Sequence, residues 1–299
     1  MGLFVISSIF KSCHIFKTWK PNLIHAHFGV PAGAAGCFLS HWSGIPFIIT
    51  AHLGDVPGGV PEKTKHIFQF IKPVTDQIWE NANTVTAISQ HTHTLIKQAY
   101  PQIQPIVVTN GIDLSNNPAP DIQVHSIPQI AFAGRLVLQK NPLQIVKSLQ
   151  EIRDLNWKAI IIGDGPLYQQ VKQAIERANL QDKIEISGWI EPDAVMDIFC
   201  QSDILFMPSI EEGLPIAGLQ GLAAGLALVT STAGSFPDLV IEGVNGNAVP
   251  VDQPEGFAKA LRNLLADPRK LLNARKASRE HARQFDLEKI LDRYEDIFQ

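Results

Sequence analysis

The chain has 299 residues, 45% of them hydrophobic and 18% charged, with a net charge of −4. A chain of this size buries enough surface to fold without cross-links, and the composition excludes disordered, collagen-like and disulfide-scaffold classes. No run of Lys or Arg has the density of a nucleic-acid patch, so no nucleic-acid partner is expected. Cys13, Cys37 and Cys200 are scattered, as structural thiols in a reducing compartment are, which points to a cytoplasmic protein. Nine of the ten histidines lie at or before His125, but His25/His27 and His91/His93 have no nearby Cys or carboxylate at ligand spacing. No metal site is therefore expected.

In chain order, Met1 to Ile9 is apolar and ends at Lys11, too short for a bilayer and without signal-peptide flanks. It reads as a buried helix. Its amphipathic look leaves open a peripheral contact with the inner membrane face. Strands are then expected at Leu23–His27, Phe47–Ala51, Thr84–Ile88, Pro105–Thr109, Gln129–Ala133, Lys158–Gly163, Lys183–Ser187, Ile204–Met207 and Ala227–Thr230. Their apolar runs are continuous, as in parallel strands buried on both faces. Between them lie helical stripes: Leu143, Val146, Leu149 and Ile152, then Phe257, Leu261, Leu264 and Leu265, the latter stopped by Asp267-Pro268. A last helix after Asp286 carries Leu287, Ile290, Leu291, Tyr294, Ile297 and Phe298 on one stripe. Strands alternating with helices give an α/β fold with parallel sheets. The proline-rich stretch Ser115–Pro120, within Asp113 to Pro128, is the best boundary. It divides a first domain, 1–126, from a second, 127–285, with 286–299 as a terminal helix free to pack back on the first.

Three strand–loop–helix junctions hold residues with chemistry. After Gln129–Ala133 come Gly134-Arg135-Leu136, Lys140 and Asn141-Pro142. Two cations before a helix N-terminus suit a diphosphate. Gly163-Asp164-Gly165-Pro166 is a glycine turn but not G-x-G-x-x-G, which argues against a nicotinamide enzyme. Pro208-Ser209-Ile210-Glu211-Glu212-Gly213-Leu214-Pro215 sets two carboxylates before the helix from Ile216, and Gln220 lies about two turns beyond Glu212.

These segments resemble, in order, the family 4 (group 1) retaining glycosyltransferases of GT-B architecture, with two facing Rossmann-like domains. The resemblance rests on Pro21 to Gly29, Thr50-Ala51-His52 with Asp55, Asn110-Gly111-Ile112-Asp113, Gly134-Arg135-Leu136 with Lys140, Gly163 to Pro166, Ser187-Gly188-Trp189 and Pro208 through Gly225. It implies transfer of a sugar from a nucleotide-diphosphate sugar, of UDP or GDP type, to a carbohydrate or lipid-linked acceptor hydroxyl, in polysaccharide or glycolipid synthesis. It implies no cofactor and no metal. Arg135 and Lys140 match the cations on the donor diphosphate, and Glu212 matches the carboxylate on the donor sugar. Gly134, Gly165, Gly213, Leu214, Pro215 and Ile216 match donor-site backbone. His52 matches the histidine facing the donor sugar, and Asn110–Pro128 the hinge. Trp189 stands beside the place of the base, although a core tryptophan is the simpler reading.

Two departures stand out. The second glutamate of the family's E-x7-E motif is Gln220 here. A neutral amide forgoes a charge-assisted hydrogen bond, so nucleotide affinity is expected to fall roughly tenfold. The family also places further α/β steps ahead of the strand at Leu23–His27. The chain is therefore expected to be a truncated product, a fragment, or a form whose first domain a partner chain completes. The alternative function is a nucleotide-sugar-binding subunit without turnover.

Overall fold

The computed structural model describes residues 2–60, 72–115 and 121–299, which form two compact units, Met1–Thr109 with Ile290–Gln299, and Asn110–Lys289. The division thus falls at Thr109/Asn110, earlier than the linker. Residues 116–120 of that linker lie outside the described residues.

In the first unit, β1 (Ile24–His27), β2 (Phe47–Ala51), β3 (Thr84–Ala87) and β4 (Ile106–Val107) form a parallel sheet in the order β1-β2-β3-β4. β2 is buried along its whole length, which is why Phe47-Ile48-Ile49-Thr50-Ala51 reads as an uninterrupted apolar run. α1 (Gly2–Ile15), α2 (Ala34–Ser43), α3 (helical over 72–80) and α4 (Gln90–Ala99) alternate with the strands. α2 stops at Gly44, whose φ of 72° supplies the left-handed cap. α4 starts at Ser89, whose hydroxyl accepts from the Thr92 amide. Phe47, Ile49, Val85, Ile96, Trp79 and Tyr100 fill the core.

α1 corrects one expectation: it is helical but not buried. It packs on α2 yet leaves Leu3, Phe4, Ile6 and Phe10 largely exposed, because its apolar residues run around more of the helix than one neighbour covers. From Ile290 the last helix, α12 (Leu287–Phe298), belongs to the first unit. There Tyr294 Oη is 3.2 Å from Thr50 Oγ1, and the Tyr294 and Phe298 rings flank His25.

The second unit is a six-stranded parallel sheet in the order β10-β9-β8-β5-β6-β7. It comprises β5 (Gln129–Ala133), α5 (Pro142–Glu151), β6 (Lys158–Ile162), α6 (Tyr168–Arg177), β7 (Ile184–Gly188) and α7 (Pro192–Cys200). β8 (Ile204–Met207), α8 (Ile216–Ala223), β9 (Ala227–Ser231), α9 (Phe236–Leu239), β10 (Gly246–Val249), α10 (Glu255–Leu265) and α11 (Pro268–Ala282) follow. Three details differ from the sequence reading. β10 was not expected, because Gly246-Asn247-Ala248-Val249 lacks an apolar run. Gly246 is there because a Cβ would lie 2.0 Å from the Leu228 carbonyl oxygen of β9. On α5 the buried stripe runs through Ile145 and Val146, and Leu143 is exposed. Asp267-Pro268 stops α10 and also opens α11, with Asp267 Oδ1 accepting from the Arg269 and Lys270 amides.

The strand order matters for function. The chain builds outward from β5 through β6 to β7, then returns to lay β8 on the other side of β5. The loops after β5 and β8 therefore leave in opposite directions and open a crevice at their carboxyl ends, where doubly wound sheets bind ligands.

Candidate functional site

The β5 loop is clamped to the β6 loop by backbone bonds. Gly134 N donates to Ile162 O (3.0 Å), Leu136 N to Asp164 O (2.9 Å) and Leu167 N to Leu136 O (2.9 Å). Only glycine fits at 163, where φ is 141° and a Cβ would stand 2.0 Å from Gly134 O. The Arg135 carbonyl accepts from the Val137 amide (2.9 Å), while its side chain leaves this clamp exposed, with no hydrogen-bond or ion-pair partner among the described residues. A 3-10 turn, Leu138–Lys140, follows, and Asn141, at φ 50°, hands the chain to Pro142 at the start of α5.

The β8 loop is pinned to that turn. Ile210 N donates to Gln139 O (2.8 Å), Gln139 Nε2 to Glu211 O (3.1 Å) and Lys140 Nζ to Glu212 Oε1 (2.5 Å). The Glu212 side chain is 6% exposed and that of Lys140 20%, so the ion pair is largely withdrawn from water. The Glu212 backbone is fixed as well. Ser235 N donates to its carbonyl, and Gly234, at φ 60°, lets that carbonyl approach where a Cβ would collide at 2.0 Å. Leu214 and Pro215 are buried, and Leu214 O accepts from Asn110 Nδ2 (3.1 Å).

At the carboxyl ends of β5, β6 and β7, bordered by the first turns of α7 and α8, lies a cavity of about 650 Å3, a volume suited to a nucleotide-sized ligand. Gly134, Arg135, Gly165, Trp189, Ile216 and Gln220 line it, all of them residues the sequence nominates. Lys140, Glu212, Gly213, Leu214 and Pro215 do not line it, and Gly213 to Pro215 form the stretch from Glu212 to α8. Trp189 is not a core residue: it is 68% exposed and lies on the cavity wall. The sequence reading missed Asp164, Ile190, Pro192, Val195 and Ala217 of the lining, and Gly234 behind Glu212. Of these, only Asp164 carried a signal, its place inside the glycine turn. Among the described residues no three His, Cys, Asp or Glu side chains gather into a set able to hold a metal ion.

His52 stands in the first unit, just past β2. Its backbone amide donates to Asp55 Oδ2 (3.0 Å), and its carbonyl accepts from the Asp55 amide (3.0 Å). Burial, then the adjacent His27, lowers its pKa to about 4, so the ring is neutral at pH 7. Burial, then His27, lowers His25 to about 4 as well. Asp55 is pushed up to about 7 by burial, against the lowering effect of bonds from the His52 and Gly29 amides.

A family model described as Glycosyl transferases group 1 matches residues 122–284, more than half of the chain, and one described as Glycosyltransferase Family 4 matches residues 2–116. The chain belongs to the group 1 glycosyltransferases. The UDP-Gal:alpha-D-GlcNAc-diphosphoundecaprenol alpha-1,3-galactosyltransferase of Escherichia coli is 24% identical to this glycosyltransferase, over 98% of the chain and 79% of its own length. Sucrose-phosphate synthase from Thermosynechococcus elongatus superposes with a TM-score of 0.86 at 20% identity, over 97% of the chain and 76% of its own. Anabaena HepE, solved in complex with UDP, superposes with a TM-score of 0.83 at 19% identity, over 97% and 81%. These likenesses establish a GT-B-like fold of two parallel-sheet α/β units. No helix among the described residues is long and apolar enough to cross a membrane.

Proposed function

We propose that this glycosyltransferase moves a hexose from a UDP- or GDP-linked donor to an acceptor hydroxyl with retention of configuration, in polysaccharide or glycolipid synthesis. The observation that carries this reading is the buried Lys140–Glu212 pair set beside a cavity lined by Arg135, the glycine turns and Gln220. In the reaction the bond from the anomeric carbon to the diphosphate oxygen breaks. The acceptor oxygen bonds to the same carbon, and its proton leaves with the departing phosphate. Negative charge grows on that phosphate, and Arg135 and Lys140 neutralise it from fixed positions, the kind of electrostatic assistance with the largest effect on rate. Their two positive charges take the part a metal plays elsewhere, so the reaction is proposed to need neither metal nor cofactor. Glu212 accepts from donor sugar hydroxyls, Gln220 from the ribose, and Trp189 lies against the base. Gly134, Gly165, Gly213, Leu214, Pro215 and Ile216 shape the donor-side backbone, and His52 serves the donor sugar. The HepE complex with UDP supports the nucleotide class, and the lipid-linked substrate in the name of the E. coli relative supports a glycolipid setting.

One observation favours a second reading, a binding subunit without turnover: the ribose position holds a neutral amide, Gln220, in place of a carboxylate. Release of nucleotide from radiolabelled UDP- and GDP-sugars separates the two. Turnover that disappears in Glu212→Ala supports the transferase. Saturable nucleotide binding with no turnover supports the subunit.

A further inference from the structure

β1 ends in His25-Ala26-His27, and the next residue, Phe28, adopts φ 75° and ψ 138°. Non-glycine residues rarely enter this region, and one held there is strained. The conformation is fixed from both sides, by Phe28 N donating to Thr50 O (3.1 Å) and Gly33 N donating to Phe28 O (2.9 Å). It lays the Phe28 ring flat on His52, with centroids 4.2 Å apart and planes 19° apart, although the ring is 47% exposed. A strained backbone that spends an exposed aromatic on one imidazole points to a task for that imidazole.

The edge of the same imidazole meets His27, with His27 Nδ1 3.2 Å from His52 Nε2. The Asp55 amide is taken by the His52 carbonyl (3.0 Å), so the contact with His27 is what sets the ring's tautomer. A neutral imidazole has one N–H. With the common Nε2–H form on both rings, His52 donates and His27 Nδ1 accepts.

We propose that His27 is a positioning residue, which holds the single Nε2–H of neutral His52 in the plane set by Phe28 and releases it to a substrate oxygen. The role rests on the proposed part of His52 in serving the donor sugar. His52 is thereby kept as a directed donor. An unheld ring would rotate about χ2 and spend its N–H on water, and small misplacements of groups that meet substrate carry large rate costs.

Asn and Leu have nearly the same shape, and the Asn amide oxygen falls near the place of Nδ1. His27→Asn therefore restores the acceptor and His27→Leu removes it. His27 is exposed, so neither change threatens folding. Side-chain 1H–15N NMR reads the contact without any turnover. The expected result is a protonated Nε2 and bare Nδ1 on His52 in the native chain and in His27→Asn, with the N–H signal lost to solvent exchange in His27→Leu. A protonated Nδ1, or a signal unchanged by His27→Leu, overturns the proposal. In donor turnover, His27→Leu is expected to lower kcat about tenfold or more with KM unchanged, and His27→Asn to stay within about threefold of native. If His52→Ala abolishes turnover while His27→Leu leaves it intact, the positioning role is wrong and the donor-site reading stands. If His52→Ala turns over normally, the assigned role of His52 fails, and with it the positioning role.

Discussion

Consider Glu212→Ala. The substitution removes the only ion-pair partner of Lys140 among the described residues, and the Lys140 side chain is only 20% exposed. Removing one partner of a fully buried pair costs roughly 3–5 kcal/mol, because the other charge is stranded. Lys140 keeps some contact with water, so about 3 kcal/mol is the appropriate figure. In a domain the size of the second unit, each kcal/mol moves Tm by roughly 2–4 °C, giving a fall of about 6–12 °C. Glu212→Gln retains an uncharged acceptor and should lose about half of that. Lys140→Met with Glu212→Leu removes both charges and should recover most of it, since apolar replacement of a buried pair is often neutral. UDP carries an anion that can take the place of the lost carboxylate. It should therefore raise the Tm of Glu212→Ala by more than that of the native protein. Thermal melts followed by circular dichroism, with and without UDP, measure the native protein and the three variants. If Glu212→Ala melts within about 2 °C of native, the pair is effectively solvated and the reasoning fails.

Three further outcomes follow from the same geometry. Gly163→Ala should destabilise the second unit by several kcal/mol and abolish nucleotide binding, because its Cβ would stand 2.0 Å from Gly134 O at φ 141°; a melt and UDP affinity close to native would contradict this. Asp55 has its pKa raised from 3.8 to about 7, so its contribution to stability is present in full below pH 4 and is lost as pH rises through 7. The lowered pKa of His25 and His52 acts in the opposite direction, so the quantity to read is the difference between variants. The unfolding free energy of Asp55→Asn relative to native, read by chemical denaturation, should rise between pH 4 and 8 by up to roughly 4 kcal/mol, and parallel curves would count against the buried carboxyl. Gln220→Glu should tighten UDP binding about tenfold in calorimetric titration through a charge-assisted bond to the ribose, and equal affinities would remove Gln220 from that role.

The parts of the site set by local sequence were legible in advance. Continuous runs such as Phe47–Ala51 and Ile204–Met207 announced strands buried on both faces, and Gly163 to Pro166 announced a tight turn. What lies across the sheet was not legible. Lys140 and Glu212 are 72 residues apart, and their contact depends on β8 returning beside β5, a topology that no local pattern encodes. Gly234 carried no signal in the sequence, because what makes it necessary is the Glu212 carbonyl, 22 residues away in the chain. Trp189 reads as core because tryptophan usually packs inward, and only the end of β7 at the cavity shows that it faces out. α1 shows the converse, where an apolar stripe revealed the helix but not how much of it a neighbour covers.

The central claim is that the cavity at the carboxyl ends of β5, β6 and β7 holds a nucleoside diphosphate by its phosphates, and titration calorimetry of UDP against native protein and Arg135→Ala tests it most directly. The Arg135 side chain is exposed and without a partner among the described residues, so its loss should leave folding intact. Losing a charge-assisted phosphate contact of about 1.5–3 kcal/mol should weaken binding roughly tenfold or more, with one site per chain retained. Native-like affinity in Arg135→Ala, with GDP behaving the same way, would place the nucleotide elsewhere and contradict the claim.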